Sequence, residues 1–234
     1  MISFVVPAYN EEKYLGTALE SIHAAAKDVG EPYEIVVVND GSTDSTPELA
    51  SRGGARVITV QKRQIAATRN AGAHATTGDA LFFVDADTRV SGVLVKEALA
   101  ALASGAVGGG ARVAFYGEVP GWVHGFMAFF TPFYFGIGRW AAGCFVFCTR
   151  AAYDATGGFD ETTYAGEEIG FSRALKALGR FVILREYVST SPRKVEGRGF
   201  WEMMRLTAAV ARKAGFEARI RRREDAAFWY EDRR

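Results

Sequence analysis

Two aspartates two residues apart, in Asp85-Ala86-Asp87, end the apolar run Phe82-Phe83-Val84. Where a buried strand stops pairing, such a D-x-D concentrates negative charge. Hard divalent cations take oxygen ligands, and Mg²⁺ is commonly held by one or two carboxylates plus substrate phosphates. The same spacing also suits a plain turn whose aspartates cap the next helix. Two more polar clusters follow apolar runs: Ala8-Tyr9-Asn10-Glu11 after residues 2–6, and Asn39-Asp40-Gly41-Ser42 after residues 34–38. Asp40 is placed to accept hydrogen bonds from a base edge, and Gly41 lets backbone approach closely. A third segment, Ala66-Ala67-Thr68-Arg69-Asn70-Ala71-Gly72, carries Arg69, whose guanidinium suits a phosphate or Asp40. On its own, an arginine on a helix is an ordinary solvated side chain.

The elements that must bring these clusters together can be read from apolar spacing. Continuous apolar runs at 2–6, 34–38, 56–60 and 80–84 predict strands. Between them, helical stripes appear. One is Tyr14, Ala18, Leu19, Ile22 and Ala25; others cover 64–74 and 93–103, the last stopped at Gly105. Ser42, Thr43 or Asp44 would cap a further helix with Pro47 in its first turn. Buried strands alternating with helices predict an α/β fold with a mostly parallel sheet flanked by helices. Ligands in such sheets bind beyond the strands' carboxyl ends. In the second half, Gly108-Gly109-Gly110 leads into a strand over 111–115. Further strands are read over 144–149 and 181–184, and helices over 151–156 and 167–178. A polar loop over 189–199 precedes a closing helix over 200–223. The expectation is one domain over 1–234: a first half to residue 90, a second half over 91–190, and a basic loop and helix over 191–234.

Of the 234 residues, 49% are hydrophobic and 24% charged, enough for a sizeable core and unlike a disordered or coiled-coil chain. A net charge of +1 argues against nucleic acid as a partner. Charge is uneven: residues 193–234 hold 12 basic and 7 acidic side chains, a basic tail that includes Arg219, Arg221, Arg222 and Arg223. Cys144 and Cys148 exclude a disulfide-stapled fold and make a weak zinc case. The first residues lack a basic leader, and the nearest apolar run, 126–137, is broken by Pro132 and Gly136. A cytoplasmic protein is expected, possible at the inner membrane face. Trp122 to Trp140 holds Phe126, Phe129, Phe130, Phe133, Tyr134 and Phe135 at helical spacing. That stripe is either core or a greasy surface for a lipid acceptor, a membrane or a partner chain, with the basic tail adding attraction to anionic lipid. Arg193, Lys194 and Arg198, with glycines on both sides of Arg198, suit a lid over a diphosphate or a solvated loop.

Taken in order, Val5-Val6-Pro7-Ala8-Tyr9-Asn10-Glu11-Glu12, Val38-Asn39-Asp40-Gly41-Ser42-Thr43-Asp44, Ala67-Thr68-Arg69-Asn70-Ala71-Gly72 and Asp85-Ala86-Asp87 resemble the donor-binding half of glycosyltransferase family 2. Gly157-Gly158-Phe159-Asp160-Glu161 and Gly166-Glu167-Glu168 resemble its acceptor-side motif and extend the likeness to about residue 180. The resemblance implies a GT-A fold and an inverting, metal-dependent transferase using a nucleotide-sugar, a UDP-sugar ahead of a GDP-sugar. Pro7, Ala8 and Tyr9 would line the nucleobase pocket, and Glu11 would meet the ribose or base. Asp40 would bind the base edge and Arg69 would lie near the base and diphosphate. Asp85 would contact the ribose or sugar and help Asp87 hold Mg²⁺ or Mn²⁺. Gly166 and Glu167 would be acceptor-side, and Glu168 would be the catalytic base in place of the family's aspartate.

This chain departs from that pattern in two respects. The late histidine that helps ligate metal in many relatives is missing, since His23, His74 and His124 all precede Glu168. The Q-x-x-R-W motif of processive synthases is absent too, so one sugar per encounter is expected. The acceptor would be a glycan or lipid-linked hydroxyl. The competing readings are a nucleotidyltransferase, and a nucleotide-sugar-binding or membrane-associated scaffold without turnover. No G-x-G-x-x-G follows the first strand, which disfavours a dinucleotide oxidoreductase.

Overall fold

The computed structural model describes residues 1–196 together with Trp201 and Arg205. Among them, eight strands form one sheet. They are β1 (Ile2–Ala8), β2 (Tyr33–Asn39), β3 (Arg56–Thr59), β4 (Ala80–Val84), β5 (Thr88–Arg89), β6 (Ala106–Phe115), β7 (Phe145–Thr149) and β8 (Arg180–Thr190). Their spatial order is β3-β2-β1-β4-β7-β6-β8-β5. β1, β2, β3 and β4 are mutually parallel where they pair, and β6 runs parallel to β8. β7 is antiparallel to both β4 and β6, and β5 to β8, so β7 and β5 are the reversed strands of a mostly parallel sheet.

The helices are α1 (Leu15–Val29), α2 (Thr46–Arg52), α3 (Ile65–His74), α4 (Gly92–Ala103), α5 (Gly121–Thr131), α6 (Arg150–Thr156), α7 (Glu167–Leu178) and α8 (Arg193–Glu196). A π-helical stretch, Pro132–Ile137, continues α5. Strand alternation distributes the core. Ile2, Phe4, Val6, Val37 and Phe82 face a layer with Leu15, Leu19 and Ile22 of α1 and Leu94 and Val95 of α4. Val5, Val36, Val38, Leu81 and Phe83 face the opposite layer with Ala66 and Ala73 of α3, Tyr153 of α6, and Phe171 and Leu175 of α7. Burial on both faces is why these strands read as unbroken apolar runs.

Three expectations need correction. Gly108, Gly109 and Gly110 do not precede a strand; they lie within β6. A methyl on Gly109 would collide with the Val182 carbonyl and the Phe147 ring, so these glycines permit β7 and β8 to close on β6. The last strand does not stop at residue 184 but runs to Thr190, shortening the expected polar loop. Ser42 and Thr43 do not cap α2; Asp44 accepts from the Thr46 amide at 3.0 Å, and Ser42 accepts from the Asn10 amide instead. The two-residue β5 had no sequence signal. Arg198, the helix expected over 200–223 and the basic tail fall outside the described residues, except that Trp201 and Arg205 are helical.

Gly72 fixes the approach of α3 to the strands that carry the first clusters. A Cβ there would overlap Val5 Cγ1 and lie 2.8 Å from Val38 Cγ2. Gly72→Val should therefore lower folding stability by about 1–3 kcal/mol through overpacking. The measurement is urea unfolding: the midpoint should fall while the slope stays unchanged.

Candidate active site

Because β1, β2 and β4 are parallel and in register, with Ala8 opposite Asn39 and Val5 opposite Phe83, their carboxyl ends share one edge of the sheet. The loops beyond β1 and β2 are stitched together. The Thr43 amide donates to Asn10 Oδ1 at 2.9 Å, and the Glu11 amide donates to the Thr46 hydroxyl at 2.8 Å. Asn10 takes a left-handed backbone (φ 53°), which an asparagine tolerates. Pro7 and Ala8 are the buried end of β1. Tyr9 follows, half-buried, with the Arg63 guanidinium 4.4 Å from its ring centroid, so one ring face is already covered.

Asp40 is buried and pins the loop that leads into α3. Its Oδ1 accepts from the Lys62 and Arg63 amides at 2.6 and 3.0 Å, and its Oδ2 accepts from the Thr68 hydroxyl at 3.1 Å. Its partners are therefore Lys62, Arg63 and Thr68; Arg69, expected as a phosphate or Asp40 partner, is engaged elsewhere. The Arg69 guanidinium is almost fully buried. Its Nη2 donates to Asp85 Oδ1 at 3.0 Å and to the Gly143 carbonyl at 2.8 Å, and its Nη1 pairs with Glu167. Burial alone would weaken its hold on its proton, but Asp85, Glu167 and Glu168 together reverse that and raise its pKa. Its Nε has no hydrogen-bond partner among the described residues and the guanidinium lies 5.3 Å from the Phe159 ring centroid. One arginine thus ties α3, the end of β4, the loop before β7 and the first turn of α7 into one unit.

Glu168, next to that pair, is half-buried. Tyr134 shares its hydroxyl between the Ala141 carbonyl at 2.9 Å and Glu168 Oε1 at 3.4 Å. Burial, and then the charge of Glu167, pushes the Glu168 carboxyl up to about 8. Gly166, with a left-handed backbone (φ 77°), turns the chain into α7 just ahead of the two glutamates. Sequence reasoning named both glutamates but missed Tyr134, Gly143 and two anchors of the acceptor-side block. Asn70 donates to the Phe159 carbonyl and to Glu161, and accepts from the Phe159 amide. Gln64 donates to the Glu161 and Thr163 carbonyls. A polar residue on a helix gives no sequence sign of such partners.

On the other side of the D-x-D, Arg193 enters the site. Nη1 and Nη2 donate to the two Glu11 oxygens at 2.8 and 2.7 Å, and Nε lies 2.8 Å from Asp87 Oδ2. The guanidinium also lies 5.0 Å from the Tyr14 ring centroid. Read in the sequence as part of a lid or of a solvated loop, Arg193 rests on the carboxylates themselves. The Lys194 side chain and Arg198 lie outside what the structure describes. Ala86, between the aspartates, is a buried apolar residue of the core.

These residues suit a divalent cation. Among the described residues, Asp87 Oδ1 is approached by the Thr88 and Thr190 hydroxyls, at 3.3 and 3.4 Å, and Oδ2 already faces a positive group. Asp85 supplies further carboxylate oxygen nearby. Among the described residues, no three His, Cys, Asp or Glu side chains converge on one point. Substrate phosphate or water would complete the shell, as is common for Mg²⁺. His23 is engaged by the Tyr33 hydroxyl and the Gly53 carbonyl, His74 stands edge-on to Tyr153, and His124 is exposed on α5.

A sheet of this order, with its polar clusters gathered at the carboxyl ends of the parallel strands, is the GT-A fold. Staphylococcus aureus TarS, residues 1–349, superposes with a TM-score of 0.64 at 20% identity, covering 99% of this chain and 71% of that one. Mannosyltransferase PcManGT from Pyrobaculum calidifontis, solved with GDP-Man and Mn²⁺, gives 0.64 at 20% identity, covering 87% and 60%. In sequence, the profile described as glycosyl transferase family 2 matches residues 3–157, and the chain belongs to that family. It is 35% identical over 91 residues to the putative glycosyltransferase EpsH of Bacillus subtilis, covering 37% of this chain and 26% of that protein. It is 36% identical over 98 residues to an undecaprenyl-phosphate 4-deoxy-4-formamido-L-arabinose transferase of Serratia proteamaculans, covering 37% and 28%. The chain spans little more than a quarter of the length of these curated relatives.

The Arg193 contacts generate a prediction. Arg193→Ala leaves Glu11 and Asp87 without their shared counter-charge, which should cost about 3–5 kcal/mol of stability. Asp87, relieved of that guanidinium, should then bind Mn²⁺ without nucleotide at least about tenfold more tightly than in the unaltered protein, equivalent to about 1.4 kcal/mol. Titration of free Mn²⁺ by its electron-spin resonance signal reads the affinity, and added Mn²⁺ should restore part of the lost melting temperature.

Proposed function

We propose that the protein is an inverting glycosyltransferase that moves one sugar from a nucleoside-diphosphate sugar to a hydroxyl acceptor. The observation behind this reading is that Glu168 and Asp85 belong to one buried network through Arg69 and Glu167. The electrostatic coupling of Glu168 to Asp85 supports a base at this position on α7. Family membership supports the same reading, as do solved structures of similar fold whose ligands are UDP, UDP-GlcNAc and GDP-Man.

In this reading the nucleobase lies against Tyr9, with Asp40 at its edge and Glu11 toward the ribose. Arg193 exchanges carboxylate partners for donor phosphate, to which a guanidinium offers a similar fork of donors. Asp87, with Asp85, holds Mg²⁺ or Mn²⁺. That ion, when bound, neutralises charge on the departing diphosphate. Glu168 accepts the proton of the acceptor hydroxyl as its oxygen attacks the anomeric carbon. The bond from that carbon to the diphosphate oxygen breaks, and the nucleoside diphosphate departs from the opposite face. A single displacement inverts the anomeric centre. Tyr134 holds the glutamate by its hydroxyl, while Glu167 is committed to Arg69. The acceptor in this reading is a hydroxyl, on a glycan or a lipid-linked glycan; the undecaprenyl-phosphate transferases among the relatives support the lipid link alone, because transfer to a lipid phosphate oxygen would leave Glu168 no proton to accept.

Glu168→Gln removes the proton acceptor but keeps the shape. Transfer should fall by about 10²–10⁴-fold, while a melting-temperature shift with UDP and Mn²⁺ stays as in the unaltered protein. Wild-type turnover in Glu168→Gln, read as release of free nucleoside diphosphate, would remove the assignment. The base works ionised and its carboxyl is raised, so kcat/KM should climb with pH toward about 8. A flat profile between pH 5 and pH 8, by the arithmetic of a group near about 8, contradicts it. Absence of metal-dependent nucleoside diphosphate release with every nucleotide-sugar tried would favour a binding scaffold instead.

A further inference from the structure

Between Glu118 and Asp154 the sequence contains no acidic residue. That interval holds α5 and its π-helical continuation, and it has two sides. Val123, Phe126, Tyr134 and Phe135 are buried, the last two packing with Ile169 of α7. Phe129, Phe133 and Ile137 lie four residues apart and are 58%, 53% and 78% exposed. The rings of Phe129 and Phe133 touch, with centroids 5.2 Å apart.

Three cations gather where this row ends. Lys176 donates to the Gly138 carbonyl at 2.6 Å, Arg139 donates to the Phe181 carbonyl at 3.2 Å, and the Arg173 guanidinium lies 5.6 Å from the Trp140 ring centroid. Partial burial, and then the charges of Arg139 and Arg173, lower the pKa of Lys176, which places the three within electrostatic reach of one another. A second copy of the chain is a poor occupant for this face. A two-fold contact would set the three cations against their own image. Anionic head groups suit the cluster, and the zone just below them suits exposed aromatic and aliphatic side chains.

We propose that Phe129, Phe133, Ile137, Arg139, Arg173 and Lys176 form a face that docks the protein on an anionic lipid bilayer. The same segment supplies Tyr134 to Glu168 at 3.4 Å. A docked protein therefore holds the assigned base close to the lipid surface; this last consequence rests on the glycosyltransferase reading, whereas the docking does not. Among the described residues, no helix is long and apolar enough to cross a membrane.

The test is vesicle flotation of the full chain. It compares neutral phosphatidylcholine vesicles with vesicles that also contain phosphatidylglycerol, at low and high salt. The protein should float with the anionic vesicles at low salt. Partition should drop at least about tenfold with neutral vesicles and again in high salt, where screening shortens the reach of charge. Arg173→Glu with Lys176→Glu, and separately Phe129→Ser with Ile137→Ser, should each weaken partition at least about tenfold at unchanged far-UV circular dichroism. Failure to float, equal partition into neutral vesicles, or folded variants that float like the unaltered protein would each overturn the proposal. The lipid and salt comparisons need no variant, so they decide even where a variant fails to fold. UDP-induced stabilisation, measured in parallel, reports on the donor reading independently.

Discussion

A guanidinium buried without neutralisation would cost several kcal/mol, and removing one member of a buried pair typically costs about 3–5 kcal/mol. Arg69 is such a group, neutralised by Asp85 on one side and Glu167 on the other. The arrangement of the site follows from this. α3 has to lie where its fifth residue reaches the end of β4. The loop before β7 has to offer the Gly143 carbonyl, and α7 has to start where Glu167 closes the set. Glu168 then has no freedom to wander, because its neighbour in sequence is held. The half of the chain that resembles a nucleotide-binding unit and the half that carries the proposed base are joined at this point by charge as well as by the packing of Phe83 on Phe159 and Phe171.

The rim has an excess of negative charge. Glu11, Asp85, Asp87, Glu167 and Glu168 line it, with Arg69 paired to Asp85 and Glu167 and Arg193 to Glu11 and Asp87. Such a pocket repels a bare diphosphate and attracts one accompanied by a cation. Arg193 satisfies the same need from within, covering Asp87 and Glu11 by a side chain from 182 residues further along the chain than Glu11. The raised Glu168 carboxyl is the same surplus expressed as proton affinity: desolvation and Glu167 oppose a second nearby charge, and Arg69 offsets them only in part.

Much of the first half could be read from the sequence for a plain reason. Strands buried on both faces and helices with one apolar stripe leave opposite signatures, and residues 2–103 alternate between them. The D-x-D, Asp40 and Arg69 stand out there because polar residues interrupt apolar runs. What escaped lies in pairings across long separations. Nothing near Arg69 announces Glu167, 98 residues on, and nothing near Glu11 announces Arg193. β6 was misjudged because three glycines carry no strand pattern of their own. β8 was cut short because Arg185, Glu186 and Tyr187 interrupt the apolar run just where the register with β6 shifts, between Leu184 and Tyr187. The aromatic stretch was left as core or surface because it is both: Phe126 and Phe135 point in, and Phe129 and Phe133 point out.

The glycine triplet of β6 has a bearing on how this sequence can drift. A side chain at Gly108 meets the Phe147 carbonyl, one at Gly109 the Phe147 ring and Val182, and one at Gly110 meets Ala141. No substitution at these three positions is acceptable by itself, and shrinking Phe147 alone opens a void in the opposite core layer. Replacement therefore demands coordinated change on three neighbouring segments, which selection rarely finds in small steps. The triplet should behave as an epistatic block in an evolving lineage, each position frozen until its neighbours on β7, β8 and the segment before β7 have changed.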